Sequence, residues 1–379
     1  MKNHIKKIVV IPDSFKGSLT SAEICTICEK KINDIIPGCE VIKIPVADGG
    51  EGTTDCFLQC LPCEKIYCEA HDPYGEPMDV YYARSGSTAF IELAMVAGLP
   101  LVEGRMNPCD TSTYGVGEMI AHAVRYGCKK IVLGIGGSCT NDGGCGLAAA
   151  LGVRFLKKDG KGFVPTGGTL SEIAHIQREE ALIRMNDVQI VTICDIDNPM
   201  FGSEGAACIF GPQKGADPEM VEVLDANLRY LSEKISNDLG INVSGLPGAG
   251  AAGAVGAGMA AFFGSKLQSG IQTVLDLVRF DEIIKDTDLI ITGEGQIDSQ
   301  SLRGKVVIGI AEKAKKQQVP VLALVGSVGD GAEAAYSMGV TSIISINRKA
   351  EDFSLSRYKS KENLAATVEA ILRLVLRMF

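Results

Sequence analysis

The chain has 379 residues, 46% of them hydrophobic and 22% charged, enough to bury the core of one large or two medium α/β domains. That balance excludes a disordered chain, and 44 glycines without a three-residue period exclude a collagen-like helix. A formal net charge of −9 argues against a nucleic-acid partner.

The first residues, Met1 to Lys7, are basic, but the apolar run that follows, Ile8 to Ile11, stops at Pro12-Asp13. A secretory leader needs roughly 7–15 apolar residues and a membrane span about 20, so the expected place of action is the cytoplasm, with no membrane partner. The cysteines number thirteen, an odd count that forbids a complete disulfide set and suits a reducing compartment. Cys56, Cys60, Cys63 and Cys68 could be combined into a zinc site. The simpler reading makes Cys25 and Cys28 small buried hydrophobes on one face of a helix, and the thiols in general structural.

In chain order, Lys7 to Ile11 is a continuous apolar run of the kind a parallel sheet buries on both faces. Ser18 or Thr20 can cap the helix that follows, Gly38 ends it, and Glu40 to Val46 reads as a second parallel strand. Residues 64–100 alternate apolar and polar, as antiparallel hairpins do. Next come a helix at Gly115 to Tyr126, a strand at Lys130 to Ile135, a glycine-rich turn and a helix at Cys145 to Leu151. A strand at Val188 to Cys194 and a long helix at Pro218 to Leu239 follow. The C-terminal part returns to β-α-β texture. Strands are expected at Thr287 to Thr292, Val319 to Val325 and Val340 to Ile346, and helices at Gly304 to Gln317 and Ala332 to Met338. Last is a closing helix from Glu362 to Met378 with apolar residues at helical spacing. The pattern predicts an α/β protein of two domains. A Rossmann-like parallel-sheet domain is built from residues 1–65 plus 281–379, and a mixed α/β domain, 66–280, is inserted into it.

Polar and glycine residues bunch just after the strands, where ligands bind in open parallel sheets. The bunches are Asp13 to Ser18, Asp48 to Thr53, Gly134 to Gly144, Asp195 to Pro199, and Gly293 to Asp298 followed by Arg303-Gly304-Lys305. Residues 134–144 offer backbone N–H groups, a helix N-terminus and the side chains of Ser138, Thr140 and Asn141, which together can cradle a phosphate or carboxylate. The same run also suits a tight turn with Asn141 or Asp142 as helix cap. Lys16 and Lys305, each beside a glycine after a strand, can meet a phosphate as point charges. Asp13, Asp48, Glu51, Asp142, Asp195, Asp197, Glu294 and Asp298 crowd these loops. So many carboxylates in one site call for a compensating cation, and Mg²⁺ also bridges to phosphates. The Walker A motif, the HRD and DFG motifs of protein kinases and the G-x-S-x-G elbow are all absent. A G-x-G-x-x-G at 248–253 follows no clear strand and lacks the acidic partner expected about 20 residues on. It reads as a small-residue helix start that allows close backbone packing.

Taken together, the stretches PDSFKGSLTS (12–21), PVADGGEGT (45–53), NPCDTSTYGVGE (107–118), GIGGSCTNDGG (134–144), NPMFGSEGA (198–206), FGPQKGA (210–216), PGAGAAGAVGAG (247–258) and TGEGQIDSQSLRGK (292–305) resemble the type-I glycerate kinase family. The departures are small: Cys139 stands where the family more often has Ala, and Ser112 where it has Thr. The resemblance implies ATP-dependent phosphorylation of D-glycerate with Mg²⁺ in sugar-acid catabolism, giving 2-phosphoglycerate in many bacterial members, with 3-phosphoglycerate the alternative product. It also implies a two-domain α/β fold with the active site in the interdomain cleft.

On that basis Lys16 and Lys305 are expected to hold ATP phosphates or the moving phosphoryl group. Glu294 and Asp298 are the expected metal ligands. Ser138, Thr140 and Asn141 are expected on the glycerate carboxylate or a phosphate, with Asp13, Ser14, Asp48 and Gly49 also lining the substrate and phosphate site. Asp195 is the candidate general base, with Asp142 next to it in rank. The expected assembly is a monomer or homodimer. Two other classes compete: an NAD(P)-dependent oxidoreductase, resting on the 248–253 glycines, and a non-catalytic sugar-acid sensor, which would keep the anion cradle without needing the metal-site acids.

Overall fold

A computed structural model describes residues 5–15, 17–46, 49–299, 301–302 and 305–378. Lys16 and Asp48 therefore lie outside the described residues. The strands are β1 (Lys7–Val10), β2 (Glu40–Lys43), β3 (Glu64–His71), β4 (Pro77–Ser85), β5 (Thr88–Glu92), β6 (Lys130–Gly134) and β7 (Arg154–Leu156). After them come β8 (Gly162–Phe163), β9 (His175–Gln177), β10 (Gln189–Ile193), β11 (Lys266–Gln268), β12 (Leu289–Ile297), β13 (Val321–Val328) and β14 (Ser342–Ser345). The chain falls into two compact units, Met1–Ala47 with Gln59–Leu61 and Ser269–Phe379, and Asp48–Leu58 with Pro62–Gln268.

The divide differs from one at 65 and 280, and the glycines explain its early position. Gly49 has φ +85°, and its carbonyl accepts the N–H of Gly136 at 2.9 Å. A Cβ on Gly134 would stand 2.6 Å from that same carbonyl oxygen. The turn after β2 thus lies backbone to backbone against the exit of β6, and residues 48–58 belong with the second unit.

In the first unit five parallel strands run in the order β14-β13-β12-β1-β2. Ile8, Val9 and Val10 are buried, as the continuous apolar run requires at the centre of a parallel sheet. The helix Ser21–Ile35 starts with a capping box between Thr20 and Glu23 and buries Ile24, Cys25, Cys28 and Ile32. The Cys25–Cys28 pair is therefore core material, and burial pushes the Cys28 thiol up to about 12. The helix Ser360–Met378 lies against the same core through Leu364, Val368 and Leu372.

The second unit has six strands, β11-β10-β6-β5-β4-β3; β3 and β4 form the antiparallel hairpin and β5, β6, β10 and β11 run parallel. A small sheet, β8-β7-β9, stands apart from it. Tyr82, Phe90, Met119 and Leu133 are among the wholly buried side chains. Among the described residues no helix is long and apolar enough to cross a membrane, and the cysteines are thiols rather than disulfides.

Candidate active site

Parallel strands point their carboxyl ends at one edge of a sheet, so each unit gathers its exit loops there. In the first unit the chain leaves β1 toward β2 on one side while β12 sits on the other, which makes the β1/β12 boundary a topological switch point. Asp13 follows β1, whereas Glu294, expected in an exit loop, lies within β12, paired with Val325 of β13 toward the strand's carboxyl end. The Asp13 N–H donates to the Gly293 carbonyl at 2.8 Å and its carboxylate accepts the Ser14 N–H at 2.6 Å. A Cβ on Gly293 would lie 2.0 Å from the Leu324 carbonyl oxygen, so glycine is required for β12 to approach β13.

Glu294 is only 6% exposed, and its Oε1 has no hydrogen-bond partner. Burial pushes its carboxyl up to about 7; Ser301 and the Lys305 charge pull the other way, and Asp13 and Asp298 add to the rise. Asp298 is held in a small turn, accepting the Ser301 N–H at 3.2 Å and the Gln296 side-chain amide at 3.1 Å. Lys305 is exposed and precedes the helix Val306–Lys316. Asp13, Asp298 and Lys305 thus lie close enough for their charges to act on Glu294.

In the second unit Glu92 ends β5, Ser138 to Asp142 follow β6, and Asp195 follows β10, all on the carboxyl edge of the parallel strands. The 137–139 segment is pinned to the chain at 97–99: Cys139 N–H donates to Ala97 at 2.9 Å and Leu99 N–H to Gly137 at 3.0 Å. Thr140 and Asn141 are fully buried, yet Thr140 Oγ1 and both polar side-chain atoms of Asn141 have no partner. Behind this loop stands Lys214, 2% exposed, whose Nζ donates to Ser138 Oγ at 2.9 Å and to the Thr140 carbonyl at 2.6 Å. Burial lowers the ammonium to about 8.

Asp142 departs from the role of second candidate base. Its carboxylate accepts the Thr113 N–H at 2.9 Å and hydroxyl at 2.8 Å, and the N–H groups of Gly144 at 3.0 Å and Gly146 at 3.2 Å. Burial raises its pKa while these donors lower it. A carboxylate so occupied braces the start of the helix Cys145–Ala150. Asp195 is half-buried on the β10 exit.

Two residues escaped sequence reasoning. Lys214 lies in the quoted stretch FGPQKGA, but on a helical turn rather than a strand exit. Glu92 is 3% exposed and accepts the N–H groups of Gly52 and Thr54, each at 3.2 Å, so it ties the Gly49–Gly52 turn to β5. Burial pushes Glu92 up to about 7.

The glycines of 248–253 serve packing. A Cβ on Gly253 would lie 2.1 Å from the Thr140 carbonyl oxygen, one on Gly250 2.2 Å from that of Pro199, and Gly143 N–H donates to Gly253 at 2.9 Å. Ala252 and Ala254 are left-handed, at φ 56° and 69°, a strain held where Gly253 packs against Thr140 and Asn141. The oxidoreductase reading loses the feature that carried it. Among the described residues no three His, Cys, Asp or Glu side chains group to hold a metal ion, Cys56, Cys60, Cys63 and Cys68 included.

The glycerate kinase family model matches residues 8–376. A glycerate kinase of Halalkalibacterium halodurans is 43% identical over 89% of this chain and 90% of its own. The glycerate 2-kinase of Escherichia coli is 41% identical over 90% of each chain. A crystal structure from Salmonella typhimurium LT2, described as a glycerate kinase 2, superposes with a TM-score of 0.85 at 37% identity over 98% of both chains.

Proposed function

The chain belongs to the glycerate kinase family and is a phosphotransferase acting on glycerate; from that premise we propose that it transfers the γ-phosphoryl group of ATP to the 2-hydroxyl of D-glycerate, with Mg²⁺, in the cytoplasm. The observation that carries this reading is the β6 exit loop, where unpartnered polar atoms of Thr140 and Asn141 stand with Ser138 beside a buried ammonium. That is the chemistry a small carboxylate needs. The choice of the 2-hydroxyl follows the relative named glycerate 2-kinase.

The residues divide the work. Ser138, Thr140 and Asn141 hold the glycerate carboxylate, and Asp195 takes the proton of the attacking hydroxyl. Lys305, with Lys16 from outside the described residues, faces the phosphates. The acids at the carboxyl ends of β1 and β12 fit a hard cation: Glu294, within β12, keeps a buried oxygen without a partner, and Asp298 and Asp13 add oxygen donors of the same charge. Glu294 and Asp298 would hold Mg²⁺, which when bound neutralises charge on the phosphate oxygens. Mg²⁺ commonly takes one or two carboxylates plus substrate phosphates, so a ready-made cage of three acids is not required.

Proton-coupled phosphorus NMR of the product from ATP, Mg²⁺ and D-glycerate is the test. A phosphate on C2 couples to one proton and gives a doublet; one on C3 couples to two and gives a triplet. A triplet overturns the 2-hydroxyl assignment, and no new phosphate ester overturns the whole reading.

A further inference from the structure

Lys214 is a buried cation of the second unit, and among the described residues no carboxylate pairs with it. The acceptors of its Nζ are neutral, the Ser138 hydroxyl and the Thr140 carbonyl. The titratable groups whose fields reach it are Cys139 and Asp142. Burial pushes the Cys139 thiol up to about 12, so it stays uncharged at neutral pH. The Asp142 carboxylate is already engaged by Thr113, Gly144 and Gly146. A buried charge left in this state is costly unless something else compensates it. The loop that it braces through the Thr140 carbonyl also carries the unpartnered Thr140 hydroxyl and Asn141 amide.

The Ser138 hydroxyl carries the connection. Its oxygen accepts from Lys214 Nζ, so its own proton has to point to another acceptor. Ser138 retains slight exposure, 4%, whereas Thr140 and Asn141 have none. The ammonium fixes the hydroxyl as a donor and makes that donor stronger.

We propose that Lys214 is a positioning residue of the hydroxyacid site: through Ser138 Oγ it presents a charge-assisted donor to the substrate carboxylate, and its own charge is balanced when that carboxylate binds. The inference rests on the reading that the 138–141 loop holds the glycerate carboxylate. Lys214 touches neither the phosphates nor the reacting hydroxyl, so its removal acts on glycerate affinity.

Steady-state kinetics of Lys214→Met, Lys214→Arg and Asn141→Ala, with thermal melts of each, test it. Lys214→Met is expected to raise KM for D-glycerate by about 10- to 100-fold, leaving KM for ATP and kcat within threefold; Lys214→Arg restores part of the loss. In the wild type, kcat/KM for glycerate falls as pH rises through about 8, where the lysine loses its proton, and Lys214→Met lacks that limb. If Asn141→Ala raises KM for glycerate while both Lys214 variants leave it unchanged, the lysine's role is overturned and the loop reading stands. If all three leave it unchanged, both fall. If Lys214→Met does not fold, the wild-type profile decides: a flat kcat/KM between pH 7 and 9.5 overturns the proposal.

Discussion

Glu92 links the turn after β2 to the edge of the second unit's sheet, and its titration makes that link measurable. Its carboxyl is raised from 4.5 to about 7, chiefly by burial, with Asp55 and Glu51 adding to the rise and the N–H groups of Thr54 and Gly52 opposing it. An acid whose folded pKa lies above its unfolded value gives up its proton first in the unfolded state. Stability then falls as pH climbs from the unfolded value through the folded one. At 1.36 kcal/mol per pH unit, the gap between 4.5 and about 7 amounts to about 3 kcal/mol, present at pH 4 and lost by pH 8. Glu92→Gln removes the titration. It also turns an amide N–H toward a backbone donor, a fixed cost of about 1–3 kcal/mol that does not vary with pH. Urea unfolding of wild type and variant should therefore show the variant less stable at pH 4, with the difference moving in its favour by about 3 kcal/mol by pH 8. Other titrating groups cancel in the comparison. A difference that stays constant across that range refutes the reasoning.

Asp195→Asn should lower kcat by 10² to 10⁴ while leaving the thermal melt unchanged, the usual cost of removing a general base; a loss below tenfold in a folded variant removes Asp195 from the role. Asp142→Ala should cost at least about 3 kcal/mol in urea unfolding, because the donors of Thr113, Gly144 and Gly146 are left buried without an acceptor. Asp142→Asn, which keeps one carbonyl oxygen, should cost less, and an alanine variant within 1 kcal/mol of wild type would show that the brace is not needed.

Local pattern made much of the fold legible. The run Ile8 to Ile11 is buried within and beside a central parallel strand, the alternating stretch of 64–85 forms the β3–β4 hairpin, and the helix Pro218–Leu239 has the expected bounds. Strand ends were less legible. β12 continues to Ile297, past the apolar run that predicts Thr292, because Gly293 lets its backbone run against β13 and pairing continues through Gln296 and Ile297. Glycine and polar residues read as loop, yet here they extend a strand. The unit divide near 48 was hidden for a similar reason. It depends on Gly49 meeting Gly134 and Gly136, a contact between backbones distant in sequence that no composition shift marks.

The candidate site shows what strand-exit reasoning can find and what it misses. The carboxyl ends of parallel strands share an edge by topology, so Asp13 with Glu294, and Ser138 to Asn141 with Asp195, could be grouped from the sequence even though Glu294 proves to lie in the strand itself. Such loops are chosen for backbone freedom and small polar side chains, and an N–H-rich loop binds an anion better with a cation behind it. A long side chain buried in the loop itself would crowd the close backbone contacts that Gly134, Gly136 and Gly253 make possible. The charge therefore comes from a different element, the turn Pro212–Lys214, whose lysine reaches across to Ser138 and the Thr140 carbonyl. Asp142 is the converse case: it sits in the loop and looks catalytic by position, but four donors commit it to holding the helix start. Residue type and strand position locate the edge where chemistry occurs, whereas the assignment of roles along that edge depends on which groups are already partnered.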